Sequence, residues 1–142
     1  MQSGRPFTPA SNVNTCNCGG SSRPDRVASG VLPSGERSVD RWFDTEAFKI
    51  PTGYVFGNSG RNILAGPRQF TWDCSVFKNF RITESMRLQF RFESFNFTNH
   101  TNFGVPASTI GTSSAGTISS TVTDLRQNQF GLKLWYSECR FW

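Results

Sequence analysis

The stretch MRLQFRFESFNF, residues 86–97, decides the fold, because apolar and polar side chains alternate along it from its first residue. Its apolar positions are Met86, Leu88, Phe90 and Phe92. Its polar or charged positions are Arg87, Gln89, Arg91 and Glu93. Successive side chains of a β-strand point to opposite faces of the sheet. The stretch therefore predicts a strand with one apolar face and one charged face.

The composition of the whole chain favours the same class of structure. The 142 residues suit one domain, and 14 Phe and 4 Trp accompany abundant Gly, Ser, Thr and Asn. Aromatic residues are enriched in strands and small polar residues in turns, so this mixture predicts an all-β fold with long turns. The formal net charge of +5 is spread along the chain without a basic block, which favours a solvated surface over a dedicated anionic partner.

Three further absences limit what the chain does. No run of about 18 apolar residues predicts a transmembrane helix, and the first residues lack the pattern of an export signal. The spacing of Cys16, Cys18, Cys74 and Cys139 does not fit a zinc site, and His100 is the single His, so we expect no metal and no cofactor. Free thiols at Cys16 and Cys18 are expected, and a local disulfide between them stays open.

The chain divides into an irregular N-terminal part and a strand-rich C-terminal part. Residues 1–69 carry Pro and Gly too densely for continuous strands, so a loop-like region is predicted there. One helical turn is expected at residues 40–47, with Ser38 or Asp40 as its cap. The remaining predicted segments are strands at 70–82, 86–97 and 127–136, a tight turn at 83–85, a loop at 98–126 with a short strand at 116–122, and a tail at 137–142.

The lengths of these strands and connections point to a membrane. Each predicted strand has about 10–13 residues, which is longer than most strands of globular sheets and enough for a tilted crossing of about 9–11 residues. A short turn joins the first pair and a long loop joins the second pair. Outer-membrane barrels use the same arrangement, with strands that alternate apolar and polar residues and aromatic girdles at both interfaces. Trp72, Phe80, Trp135 and Tyr136 lie near predicted strand ends, where girdle residues are expected.

Segments along nearly the whole chain resemble one known family. They are SGRPFTP (3–9), RPDRV (23–27), LPSGERSVDRWFDTEAF (32–48), FGNSGRNILAGP (56–67), WDCSVFKNFRI (72–82), MRLQFRFESFNFTNHTNFG (86–104), GTISS (116–120) and RQNQFGLKL (126–134). In this order they resemble the C-terminal end of TonB-dependent outer-membrane receptors, especially the subgroup with an N-terminal carboxypeptidase-regulatory-like domain that is common in acidobacteria. The resemblance covers a small part of such a receptor, so its signal peptide, plug and TonB box are expected outside these residues.

The resemblance implies a function, a location and a set of partners. It implies part of a transporter that takes up a scarce solute through the bacterial outer membrane, and that does not transport alone. The implied partners are outer-membrane lipid, the barrel-assembly machinery, the remainder of the barrel, and TonB through the missing N-terminal part. On this view 1–69 is an extracellular-loop-like region and 70–136 forms the closing strands of a transmembrane β-barrel.

Individual residues receive roles from this interpretation. The predicted lipid-facing residues are Met86, Leu88, Phe90 and Phe92, and the predicted lumen-facing residues are Arg87, Gln89, Arg91 and Glu93. The last predicted strand matches the assembly signal of such barrels, a polar residue, Gly and two hydrophobic residues at fixed spacing. The matching residues are Gln129, Gly131, Leu134 and Tyr136. Glycine at that place permits a close approach of another backbone, as pairing with the assembly machinery requires.

An enzyme is not expected, and a soluble binding module is the alternative. The single His, the absence of GxSxG and the absence of Walker or Rossmann glycine patterns leave no catalytic residues to propose. Arg interleaves with aromatic residues in 81–95, as in modules that bind single-stranded nucleic acid. In an alternating strand, however, the Arg and Phe side chains face opposite ways, so nucleic acid is not an expected partner. A carbohydrate-binding β-domain should show more strands than the three predicted here.

Overall fold

The computed structural model describes residues 1–17 and 19–136, in which strands and one 3₁₀ turn make up the regular structure. This part of the chain is all-β, as predicted. In chain order its strands are β1 (Pro6–Phe7), β2 (Ala10–Ser11), β3 (Asp25–Arg26), β4 (Phe48–Lys49), β5 (Leu64–Ala65), β6 (Cys74–Arg81), β7 (Met86–Phe95), β8 (Thr109–Ile110) and β9 (Gln127–Tyr136).

The chain forms two compact units, where the composition suggested one domain. The loop unit comprises residues 1–69 and 102–122, and the sheet unit comprises residues 70–101 and 123–136. Most of the loop predicted at 98–126 therefore belongs with the N-terminal residues and not with the strands. The physical reason is that β8 pairs with β2 and that Ile110 enters the core of the loop unit.

The sheet unit is an antiparallel sheet with the strand order β6-β7-β9. Its strands were predicted at 70–82, 86–97 and 127–136. β6 begins later, at Cys74, because residues just before it bond to the turn after β7: the Phe97 amide donates to the Trp72 carbonyl at 2.7 Å, and the Asn96 amide donates to the Asp73 carboxylate at 2.9 Å. β7 ends at Phe95 because Asn96 has a left-handed backbone with φ of 49°.

The loop unit holds a small core despite its short strands. β1 pairs with β5 and β3 with β4 in antiparallel fashion, whereas β2 and β8 are parallel. Phe43 lies at the centre, with its ring centroid 5.7 Å from that of Phe7 and 6.0 Å from that of Phe48. The buried residues of this core are Phe7, Phe43, Ala47, Phe48, Leu64 and Ile110. Apolar residues from distant parts of the sequence thus fix a region that has no long strand.

Three local predictions need correction in the loop unit. The helical turn is a 3₁₀ turn over Thr45–Ala47, and its cap is Asp44, whose carboxylate accepts from the Glu46 amide. Ser38 instead accepts from the Arg41 amide at 3.1 Å. No strand forms at 116–122, because the backbone there is held by separate bonds, such as that from the Gly104 amide to the Ser120 carbonyl.

The remaining observations concern cysteines and membrane helices. Cys16 is disulfide-bonded, so the expected free thiol is wrong for that residue, and Cys74 is free. Cys18, Cys139 and the tail at 137–142 lie outside the described residues. Within the described ranges, no helix is both long enough and apolar enough to cross a membrane.

Candidate membrane and lumen faces

The register of the sheet unit collects apolar side chains on one face, called the apolar face below. Even-numbered residues pair with even-numbered residues across all three strands. The cross-strand rows in β6-β7-β9 order are Val76–Phe92–Phe130, Lys78–Phe90–Leu132 and Phe80–Leu88–Leu134, and Met86 pairs with Tyr136. The four predicted lipid-facing residues therefore lie on one face and beside further apolar residues. That this face contacts lipid stays a prediction.

The apolar face is bare in the part of the chain that the structure describes. Phe130 packs its ring 5.0 Å from that of Phe92 and 6.3 Å from that of Phe90, yet its side chain is 69% exposed. Leu132 is 72% exposed and Leu134 is 53% exposed. A soluble protein rarely leaves a continuous surface of this kind in water, because apolar area is driven out of it.

The opposite face, called the polar face below, carries charged and amide side chains. Its rows are Ser75–Glu93–Gln129, Phe77–Arg91–Gly131, Asn79–Gln89–Lys133 and Arg81–Arg87–Trp135. Arg91 Nη1 lies 3.8 Å from Glu93 Oε1, and the Gln89 amide donates to Asn79 Oδ1 at 2.9 Å. The predicted lumen-facing residues all lie on this face, which carries this ion pair, this hydrogen bond and a surplus of positive charge.

The strands on either side of β7 add two aromatic residues to the polar face. Phe77 lies directly opposite Arg91, and Trp135 lies opposite Arg87 with its ring centroid 4.8 Å from the Lys133 ammonium. Within β7 the predicted separation holds, since Arg87 and Arg91 lie on the face opposite to Phe90 and Phe92, but β6 and β9 place these two aromatic residues on the face of the arginines. Trp135 also lies on the polar face, which excludes it from an aromatic girdle on the apolar face.

Asn96 secures the turn that follows β7. Its side-chain amide donates to the carbonyls of His100 at 3.1 Å and Asp124 at 3.0 Å, and its Oδ1 accepts from the His100 amide at 3.0 Å. Asn99, also left-handed, accepts from the Arg126 amide at 3.1 Å through its side chain. These asparagines satisfy backbone groups. His100 has its ring against Phe70, 5.8 Å away, so this cluster is structural.

The assembly-signal residues lie on β9, which is an edge strand of the described sheet. Gln129 and Gly131 belong to the polar face, and Leu134 and Tyr136 to the apolar face. A Cβ added at Gly131 would lie 3.8 Å from that of Arg91, which is an ordinary contact. The three strands themselves therefore do not require glycine at this position. Its role in assembly remains a prediction.

The polar face offers hydrogen-bonding groups and charge. No group of three or more His, Cys, Asp or Glu side chains in 1–17 and 19–136 is placed to hold a metal ion. A shallow depression of about 200 Å³ on the polar face is lined by residues that include Gln89, Arg91 and Lys133. The sheet thus offers a basic, hydrogen-bonding surface backed by an apolar one.

The wall of an outer-membrane β-barrel has this construction, an antiparallel sheet with one apolar face and one polar face. Comparison with family models agrees with this class. The model described as "Outer membrane beta barrel domain" matches residues 1–129, and the chain belongs to that family. No curated protein and no solved structure matches the chain.

Proposed function

We propose that the chain is the C-terminal part of a TonB-dependent outer-membrane receptor that takes up a scarce solute. The observation that carries the proposal is the register of β6, β7 and β9, which collects the apolar residues on one uncovered face. A barrel wall needs that separation of lipid-facing and lumen-facing residues. The resemblance of segments along 3–134 to this receptor family supports the finer assignment within the barrel class.

The sheet requires further strands to act as a barrel wall. The outer edges of β6 and β9 present backbone N–H and C=O groups that have no strand partner among the described residues. In hydrocarbon such groups must be paired, and known barrels use at least eight strands. The proposal therefore includes the remainder of the barrel as partner on both edges and the barrel-assembly machinery as the partner that reads β9.

The two faces then have different tasks. The apolar face contacts outer-membrane lipid through side chains such as Phe90 and Leu132. The polar face lines the lumen, where Arg87 and Arg91 lie near solute or plug residues. TonB supplies energy through a part of the receptor that these strands do not include, so transport is a property of the whole receptor.

Uptake by a TonB-dependent route is tested in the native host. Strains that lack this gene, or TonB, are grown beside the parent, and solutes left in the medium are quantified by mass spectrometry. We expect at least one solute that the parent depletes and that both deletion strains leave behind. The proposal would be contradicted if the gene-deletion strain left no more solute in a limiting medium than the parent does. It would also be contradicted if the strain without TonB depleted every solute that the gene-deletion strain leaves behind.

A soluble nucleic-acid-binding module is the second candidate, and one observation favours it. Phe77 and Trp135 share the polar face with Arg91 and Arg87, so a single surface does offer aromatic and basic groups. It ranks lower because the apolar face behind this surface would remain exposed to water. Native protein in the soluble fraction, with salt-sensitive binding to single-stranded oligonucleotides, would reverse the order.

A further inference from the structure

A polar cleft in the loop unit places two arginines together. The cleft has a volume of about 430 Å³, and its polar lining residues are Thr8, Ser21, Ser22, Arg23 and Arg61. The sequence separates these residues into three segments and shows no motif that links them. Arg23 and Arg61 are exposed, so their guanidinium groups are accessible to a dissolved molecule.

Backbone hydrogen bonds hold the three segments of the cleft in place. The Ser11 amide donates to the Ser22 carbonyl at 2.8 Å, and the Ser59 amide donates to the Pro24 carbonyl at 3.1 Å. Thr8 Oγ1 accepts from the Asn62 amide at 2.8 Å, next to Arg61 in the sequence. The backbones that carry both arginines are therefore fixed before any ligand arrives, which lowers the entropic cost of binding.

The charges of this cleft are not neutralised within the described residues. The ion pairs found there are Arg41 with Asp44 and Arg91 with Glu93, and neither involves the cleft. Arg23 Nη1 donates to the Ser59 carbonyl at 3.4 Å, a contact with a neutral group. Since no carboxylate lines the cleft, two like charges give it a positive potential that attracts anions.

We propose that this cleft binds the oxyanion group, carboxylate or phosphate, of a small polar solute. Guanidinium groups bind such oxyanions through paired N–H donors, and the exposed Ser21 hydroxyl supplies another donor. The volume is in the range of small-molecule sites. If the chain takes part in uptake as proposed, the solute carries such a negatively charged group. The anion site itself does not depend on the uptake function.

The test measures binding to the purified full chain in detergent micelles by isothermal titration calorimetry. The probes are inorganic phosphate, glucuronate and, as a neutral match for glucuronate, glucose. We expect phosphate and glucuronate to bind and glucose to bind at least tenfold more weakly. R23Q and R61Q should each weaken anion binding at least tenfold, and R61K, which keeps the charge but loses the planar fork, should lie between R61Q and the native chain.

Arg68→Gln is the matched control, because it removes one exposed positive charge from the same unit outside the cleft. Its anion affinity should stay within twofold of the native value. Near-ultraviolet circular dichroism establishes that each variant keeps its fold. Absence of binding by both anions, equal binding of glucose and glucuronate, or equal losses in R61Q and R68Q would overturn the proposal.

The outcomes for the cleft and for uptake are separable. Suppose that anion binding depends on Arg23 and Arg61 but that deletion of the gene changes no solute in the medium. This result would contradict the uptake function alone. A TonB-dependent solute uptake accompanied by no binding of phosphate or glucuronate would contradict the anion site alone. The binding experiment measures heat in the purified chain and the uptake experiment measures solutes in the medium, so neither result depends on the other.

Discussion

Gly57 is a single residue on which the shape of the cleft depends. A Cβ at this position would overlap the carbonyl oxygens of Arg23 and Pro24. Gly57→Ala should therefore push the two segments apart and lower the free energy of unfolding by about 1–3 kcal/mol, as overpacking does. Urea unfolding measures the change, and anion binding should weaken with it.

Gly35→Ala is the control for this substitution, since no atom lies within 4 Å of the added Cβ. Its free energy of unfolding should stay within about 0.5 kcal/mol of the native value. Similar losses in the two alanine variants would contradict a special role for the contact with Arg23 and Pro24, because the lower backbone entropy of alanine by itself stabilises the folded chain.

Asn96 is a second single residue on which local structure depends, because its side chain holds the turn after β7 by hydrogen bonds. Asn96→Ala removes a side chain that is hydrogen-bonded to the backbone at His100 and Asp124 and leaves a left-handed residue with a Cβ. We expect a loss of about 2–4 kcal/mol in the free energy of unfolding, measured by urea titration in micelles. Asn79→Ala, which removes one exposed bond to Gln89, should cost less than about 1 kcal/mol.

Asn96→Gly separates the two contributions at this position. Glycine keeps the left-handed backbone without strain and lacks the side-chain bonds. Stability close to native in this variant would show that the bonds to His100 and Asp124 contribute little.

At the scale of the element, the apolar face gives the sharpest test of membrane contact. Leu132 is so exposed in the described sheet that its replacement by Arg loses little protein packing. If the face meets hydrocarbon, Leu132→Arg should destabilise the membrane-inserted protein by about 2–4 kcal/mol. Urea unfolding in lipid vesicles measures this, together with the amount recovered in the outer-membrane fraction.

Gln89→Arg introduces the same charge on the polar face, beside Lys133. It should leave the outer-membrane fraction unchanged within about twofold, since the lumen is aqueous. Equal behaviour of the two arginine variants would argue against lipid on the apolar face.

The last strand allows assembly to be distinguished from stability. Tyr136 is 67% exposed and lies on β9, in the proposed assembly signal. Tyr136→Ala should reduce the protein found in the outer membrane of cells severalfold while the unfolding free energy in micelles changes by less than about 1 kcal/mol. Leu132→Ala, on the same strand and face but outside the signal, should leave the cellular amount near native. Parallel losses in both variants would contradict a special role of Tyr136.

Strands could be predicted from the sequence where apolar and polar residues alternate within one short stretch. The alternation in 86–93 determines β7, and a similar alternation determines β9 at 127–136. The start of β6 could not be predicted, because Trp72 and Asp73 continue the alternating pattern. The Trp72 carbonyl and the Asp73 carboxylate instead accept hydrogen bonds from the turn at Asn96 and Phe97. Tertiary bonds overrode strand propensity there.

The loop unit shows where sequence patterns carry no information. Pro and Gly correctly predicted the lack of long strands in 1–69, but nothing in the order of residues shows that Ala10 pairs with Thr109. The cleft was missed for the same reason, since Arg23 and Arg61 meet through bonds made by Ser22, Pro24 and Asn62. Contacts between distant irregular segments have no period to detect.

On the scale of the whole molecule, the proposed barrel predicts a change in amide exchange. β7 has partners on both sides, whereas β6 and β9 each have one in the described sheet. In the isolated chain in micelles, outward amides of β6 and β9 should exchange fast and those of β7 slowly. In the native gene product in outer-membrane vesicles, the outward amides should slow at least tenfold, which hydrogen-exchange mass spectrometry measures. Unchanged exchange at both edges would contradict barrel closure.

Lys78 bears on how the sheet would sit in a bilayer. It is the single cation in the apolar rows of the three strands, next to Phe90 and one row from Val76, Phe92 and Phe130. With a rise of about 3.3 Å per residue, it lies about 13 Å from the polar row of Cys74, Ser94 and Asn128. A lysine stem can lie along an apolar surface and deliver its ammonium to the headgroups. The apolar rows from Val76 to the pair of Met86 and Tyr136 span about 20 Å, which is less than the apolar band of about 25 Å in such barrels. We therefore expect all of these rows to lie within the hydrocarbon layer, with the Lys78 stem directing its ammonium toward the headgroups.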